Sequence, residues 1–285
     1  MKIKEYRNQF IQELIPIYGG DEAESFFYLM LEDKNQLKRL DLALNPNLTF
    51  LEDEILIWDF ILKELKDQKP IQYILGKTSF FGLDFEVNGN VLIPRPETEE
   101  LVEWIIQSQK SEIRIPEIKI LDIGTGSGCI AISLAKNIPN AVVFALDISK
   151  KALEVARRNA EINKVKIIFI EKNILETEDL KEQFDIIVSN PPYVREIEKQ
   201  EIKKNVLDNE PHLALFVADN NALVFYNKIA QLAQKNLSLN GQLFFEINQY
   251  LGKEMMVLLE TMNFKNIELR KDIYGNNRMI KADFR

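Results

Sequence analysis

The second half of this chain constrains its fold most, because short apolar runs there alternate with helical patterns. Residues 118–123, 141–146, 165–170, 184–189 and 241–247 read as strands. Helical spacing fills 128–136, 150–163 and 221–237, with a shorter segment near 176–181 and another at 250–262. Parallel neighbours in a sheet need crossover connections, so this order predicts an α/β fold with a doubly wound, mostly parallel sheet. A late pair of strands near 264–269 and 278–282 completes it.

Residues 1–70 have a different period. Tyr6, Phe10, Leu14 and Ile17 recur at helical spacing, as do Phe26, Phe27, Met30 and Leu31. Thr49 followed by Glu52 has the spacing of a capping box ahead of a third helix. Aromatic and branched residues around Gly76 and Gly82 suggest a hairpin joining two domains. Pro96 suits the first turn of a helix, and Glu97, Glu99 and Glu100 complement its positive end. The expected organisation is a helical domain at 1–70, a hairpin linker at 71–96 and a larger domain at 97–285.

Composition narrows the function. The 285 residues carry a net charge of −8, and residues 1–70 hold nine basic against fourteen acidic side chains. Such a chain gets no general electrostatic help on a polyphosphate, which argues against direct nucleic-acid binding. One cysteine (Cys129) and one histidine (His212) exclude a disulfide framework and a Cys- or His-rich metal site. The charged N-terminus is no signal peptide and no apolar run is long enough to span a membrane, so the expected location is the cytoplasm.

Two segments carry chemistry. In "ILDIGTGSGCIAISLA" an apolar strand ends at Asp122 and Ile123, and Gly124, Thr125, Gly126, Ser127 and Gly128 lead into a helix. Ligands of doubly wound sheets bind at the carboxyl ends of strands, and glycines let a ligand approach main-chain N–H groups. A dinucleotide fingerprint would put its third glycine at 129, where this chain has Cys129. The GxGxG spacing resembles instead the S-adenosylmethionine loop of Rossmann-like methyltransferases. Asp147, at the tip of the next strand, can accept hydrogen bonds from both hydroxyls of a ribose, a device shared with NAD enzymes. Asp122 either fixes the loop or meets a ligand's ammonium group. The same resemblance implies that Asn173 and Ile174 flank the adenine, while their position at a strand end equally suits a plain turn.

The second segment is "FDIIVSNPPYV", where a buried strand delivers Asn190 to the switch point, followed by Pro191, Pro192 and Tyr193. The asparagine oxygen and a main-chain carbonyl held open by prolines are two fixed acceptors, suited to the two in-plane donors of a planar NH₂ group. Tyr193 offers a face for stacking. Taken alone, the four residues could equally be a turn after a strand.

Together "KPIQYILGKTSFFGLDFEV", "LIPRPETEELVE", "ILDIGTGSGCIAISLA", "IIVSNPPY" and "NEPHLALF" resemble the peptide chain release factor glutamine methyltransferases. The resemblance runs from about Pro70 to the C-terminus. It implies a class I S-adenosylmethionine-dependent methyltransferase sheet with a small N-terminal helical domain and a linking β-hairpin. It further implies methyl transfer to the side-chain amide of the glutamine in a release factor's Gly-Gly-Gln loop, without a metal. The donor would contact Gly124 to Gly128, Asp147, Ile174 and Asn190. The substrate amide would meet Asn190, Pro191, Pro192 and Tyr193, and the helical domain would help grip the release factor. The charged stretch "REIEKQEIKKNVLDN" departs from the pattern.

Other residues have plainer readings. His212 is an incidental loop residue, Cys129 packing, and Trp58 and Trp104 core. Arg95 either touches substrate or anchors the linker. Two rival functions are an adenine-amino methyltransferase acting on DNA or RNA, and a non-enzymatic protein-binding module.

Overall fold

In a computed structural model the described residues, 1–109 and 117–284, divide into two compact units. The first comprises Met1–Gly76 together with Lys204–Asn209. Its helices are Ile3–Tyr18, Gly20–Asn35, Arg39–Leu44, Glu52–Lys66 and Ile71–Leu75, besides the short helix Lys204–Asn209. The apolar stripes converge on Trp58, which is 1% exposed and whose ring lies 4.9 Å from Phe27 and 5.7 Å from Phe10. Its indole N–H donates to Asn35 Oδ1 at 3.0 Å, the partner a buried indole needs. Ile17, in the last turn of its helix, lies outside this core at 38% exposure.

The third long helix does not start where the capping-box spacing suggests. Thr49 is paired with Lys2 in an isolated antiparallel bridge, so Leu51 takes the cap position instead. Glu54 Oε2 accepts the Leu51 N–H at 2.7 Å, which is half of a capping box, since leucine has no acceptor to return the bond.

The second unit opens with a hairpin of β1 (Lys77–Phe80) and β2 (Leu83–Glu86). Phe81 and Gly82 both adopt positive φ, +50° and +72°, as a tight two-residue hairpin turn demands. The region expected to form this hairpin starts earlier in the sequence, but residues 71–75 are helical, and Gly76 ends that helix in the left-handed conformation.

One seven-stranded sheet is built from β3 (Ile118–Ile123), β4 (Ala141–Asp147), β5 (Ile167–Glu171), β6 (Phe184–Ser189), β9 (Leu237–Glu246), β10 (Lys265–Lys271) and β11 (Asn277–Asp283). A separate parallel pair, β7 (Val194–Arg195) and β8 (Phe216–Val217), lies in the connection after β6. The sheet order is β10-β11-β9-β6-β3-β4-β5, parallel from β9 to β5, with β11 and the edge strand β10 paired antiparallel. The winding therefore reverses between β3 and β6, which makes the crevice beside them the expected ligand site.

The short helix expected at 176–181 is absent. Side chains take over the backbone groups there: Asn173 Oδ1 accepts the Leu175 N–H, and Asp179 Oδ1 accepts the Lys181 N–H. Lys181 sits at φ +62°, and only a single 3₁₀ turn, Ile174–Glu176, forms. Replacing Trp58 by alanine should remove about 3–5 kcal/mol from the helical unit, as large-to-small core changes do. Urea unfolding followed by tryptophan-independent circular dichroism checks this; a loss below 1 kcal/mol would contradict the packing described.

Candidate active site

The carboxyl ends of β3, β4, β5 and β6 open onto a cavity of about 310 Å³. Of the residues singled out in the sequence, Gly124, Gly126, Asp147, Asn173, Ile174, Asn190, Pro191 and Pro192 line it. Thr125, Ser127, Gly128 and Tyr193 lie off its wall. The ends of β3 and β6 are brought level by their register, Ile123 opposite Ser189, and Ser189 Oγ donates to the Ile123 carbonyl at 2.7 Å.

The glycine loop is fixed mainly by the neighbouring strand β4. Gly124 and Thr125 N–H both donate to the Leu146 carbonyl, Gly126 N–H to Asp147 Oδ2 at 2.9 Å, and Gly128 N–H to the Thr125 carbonyl. Four of the N–H groups expected to face a ligand are thus already bonded, three of them to the end of β4. What the loop offers is close approach: Gly124 and Gly126, at φ +76° and +55°, have open space where a side chain would stand. Gly128 serves another purpose, since a Cβ there would lie 2.9 Å from Ile132 Cδ1 and 3.2 Å from Ala156 Cβ. It lets two helices pack closely.

Asp122 is fully buried, off the cavity wall, and its Oδ2 accepts the Thr125 hydroxyl at 2.6 Å, so it fixes the loop. Burial raises its pKa to about 7, with the Thr125 bond opposing. Asp147 faces the cavity, and burial raises its pKa against the N–H groups of Ser149 and Gly126. Ser127 is held through its carbonyl by Asn159, whose side chain also bonds both main-chain groups of Glu86 in the hairpin.

Around Asn190 lies a network that the sequence reading missed. Asn190 Nδ2 donates to Thr98 Oγ1 at 3.3 Å, and the Thr98 hydroxyl donates to Glu246 Oε2 at 2.6 Å. The Tyr193 hydroxyl donates to Glu246 Oε1 at 3.0 Å. Thr98 and Glu246 are 2% and 1% exposed. Burial raises the Glu246 pKa, with the Thr98 bond and the Arg278 charge opposing; burial and the Glu246 charge raise that of Tyr193. The only sequence signal was a polar residue in "PRPETE" and an acid ending an apolar strand.

The remaining readings resolve. Arg95 donates at 2.5 Å to the buried Glu210, which also accepts the Ile93 N–H, so it ties the segment before the glycine loop to "NEPHLALF". The Cys129 thiol is pushed up to about 12 by burial. Trp104 packs edge-on against Phe244. His212 packs edge-on against Phe216, away from the cavity wall.

Similarity to known proteins identifies the family. The family described as methyltransferase small domain matches residues 108–214. A release factor glutamine methyltransferase of Flavobacterium psychrophilum is 65% identical over 285 residues, covering 100% of both chains. One of Bacteroides thetaiotaomicron is 41% identical and covers 99% of both. The chain belongs to the release factor glutamine methyltransferase family. Among solved structures, the T. thermophilus 16S rRNA N2 G1207 methyltransferase in complex with AdoMet and guanosine has a TM-score of 0.52 at 19% identity, covering 73% of this chain and 50% of that one. The human Mettl16 catalytic domain has a TM-score of 0.54 at 14% identity, covering 72% and 77%. These two show the fold that release factor glutamine methyltransferases share with other methyltransferases.

The pKa of Asp122 has a consequence for stability in this family member. Its folded value of about 7 lies above the ordinary 3.8, so the native chain holds a proton that the unfolded chain loses between those values. Stability from this group is present below about pH 4 and is lost as pH rises to about 7, by on the order of 4 kcal/mol at most. Urea unfolding at pH 4.5 and 7.5 should show a shallower fall for Asp122→Asn than for the parent chain; equal slopes would contradict it.

Proposed function

We propose that the chain transfers a methyl group from S-adenosylmethionine to the side-chain amide nitrogen of the glutamine in the Gly-Gly-Gln loop of peptide chain release factors. The observation that carries it is the acceptor geometry at Asn190: its NH₂ is bound to Thr98, which turns Oδ1 to the opposite edge of the amide, on a residue of the cavity wall.

The residues fit the donor. Bound there, S-adenosylmethionine supplies an electrophilic methyl group on a positively charged sulfur. A loop in which the N–H groups of Gly124, Thr125, Gly126 and Gly128 are already bonded to protein acceptors suits a cationic ligand and would serve a pyrophosphate poorly. The bare approach at Gly124 and Gly126 leaves room for the donor's chain, with Thr125, Ser127 and Gly128 holding the loop's shape. Asp147 accepts from the ribose hydroxyls. Ile148, Ile174 and Leu175, all on the wall, give a flat base apolar surfaces.

An amide nitrogen is a weak nucleophile because its lone pair is delocalised. Asn190 Oδ1 and the Pro191 carbonyl would accept hydrogen bonds from its two N–H groups, which holds the NH₂ facing the methyl carbon and favours the charge that develops on nitrogen; as the nitrogen takes the methyl group from the sulfur, it gives up one proton to solvent. Pro191 and Pro192 keep that carbonyl from turning away. Tyr193, off the cavity wall, anchors the segment through its hydroxyl. The partner is a protein, in keeping with the net charge of −8, and the compartment is the cytoplasm.

Labelled donor should mark an intact release factor, but neither its Gln-to-Ala loop variant nor single- or double-stranded DNA. Label on DNA and not on the factor would mean an adenine-amino methyltransferase. Asn190→Ala should lower transfer at least a hundredfold while donor affinity, measured by calorimetry, changes only a few-fold. Collapse of donor affinity would show that Asn190 serves mainly the donor.

A further inference from the structure

We infer that Glu246 and Thr98 are positioning residues that set the polarity of the Asn190 amide, fixing which edge meets the substrate. This rests on the glutamine-transfer reading above and adds two residues to it.

An asparagine side chain is nearly symmetric in shape, so its neighbours decide which edge carries oxygen. An ionised carboxylate only accepts hydrogen bonds. Glu246 Oε2, 2.6 Å from Thr98 Oγ1, therefore takes the single hydroxyl proton of Thr98. A threonine hydroxyl whose proton is spent can only accept from its other neighbour. That neighbour is Asn190, 3.3 Å away, so only its NH₂ edge fits against Thr98. Among the described residues no protein group donates to Asn190 Oδ1, which is left for a donor in the cavity. Reversing the hydroxyl would let the amide flip and set NH₂ against the substrate's own NH₂, two donors with no acceptor between them.

The same carboxylate holds the other end of the segment. Glu246 Oε1 accepts the Tyr193 hydroxyl, and the Tyr193 carbonyl accepts from Asn248 Nδ2 at 3.0 Å. Glu246 thus ties Asn190 and Tyr193 across the two prolines through both of its oxygens. It sits at the end of β9, beside β6 in the sheet, so the strand pairing itself brings it within reach.

The test compares the parent chain with Thr98→Val, Thr98→Ser and Glu246→Gln. Four quantities are read: kcat, KM for the release factor, affinity for S-adenosylhomocysteine, and melting temperature. Valine keeps the shape of threonine and removes the hydroxyl. Its kcat should fall tenfold to a hundredfold, roughly the effect of a misaligned reacting group, with both affinities within about threefold. Serine keeps the hydroxyl and should restore kcat to within a few-fold of the parent. Glutamine at 246 can donate as well as accept, and should resemble valine at 98. Parent-like kcat in Thr98→Val would overturn the inference, as would Thr98→Ser no better than Thr98→Val, which would mean packing alone. If Glu246→Gln fails to fold, the pair at 98 decides. A parent chain that does not label the release factor at all would instead overturn the glutamine reading.

Discussion

Everything at the site depends on the pairing of β3 with β6. These strands lie far apart in sequence, and their parallel register puts Ile123 opposite Ser189. The next residue on one strand is Gly124 and on the other Asn190. A one-residue slip would invert every side chain of a strand buried on both faces, which the apolar cores on either side of the sheet forbid. The hydroxyl of Ser189 adds a bond to the Ile123 carbonyl at the point where the ladder ends. The glycine loop and Asn190 are therefore held side by side by hydrophobic burial, with no contact of their own required.

The second constraint is where the loop's hydrogen bonds go. A glycine-rich turn between a strand and a helix is commonly a phosphate cradle, because its N–H groups and the helix end favour negative charge. Here Leu146 and Asp147 consume those donors, so the same outline has the opposite preference. Asp147 is the pivot: one oxygen binds Gly126 N–H, the other Ser149 N–H, and the carboxylate still lines the cavity. Its negative charge next to a loop with few free donors favours a ligand that is cationic and carries hydroxyls.

The sequence made the sheet legible because alternation of strand and helix periods is a strong signal, and each predicted core strand falls within a few residues of an observed one. The errors have local causes. Thr49 looked like a cap because spacing cannot reveal that its backbone pairs with Lys2, 47 positions earlier. Residues 176–181 looked helical because Asn173 and Asp179 compete for backbone groups in a way composition does not display. At the cavity, Gly124, Asp147 and Asn190 stood out in the sequence because each stands at the end of an apolar strand-like run. Thr98 and Glu246 did not, because each belongs to a different segment and acquires its meaning only when helix Pro96–Gln109 and β9 are brought together.

Glu246 also runs against stability. A buried carboxylate must be desolvated, and apolar replacements for buried ionic groups are often neutral or stabilising. Here the cost is offset in part by two hydroxyl donors and the charge of Arg278, itself bonded to Asp272. A neutral acceptor at this position would bind Thr98 as well in one orientation, but glutamine can also turn its NH₂ inward. Only a group with no proton to give leaves one arrangement for the hydroxyls and hence one for the amide. The charge is thus kept for direction rather than for strength.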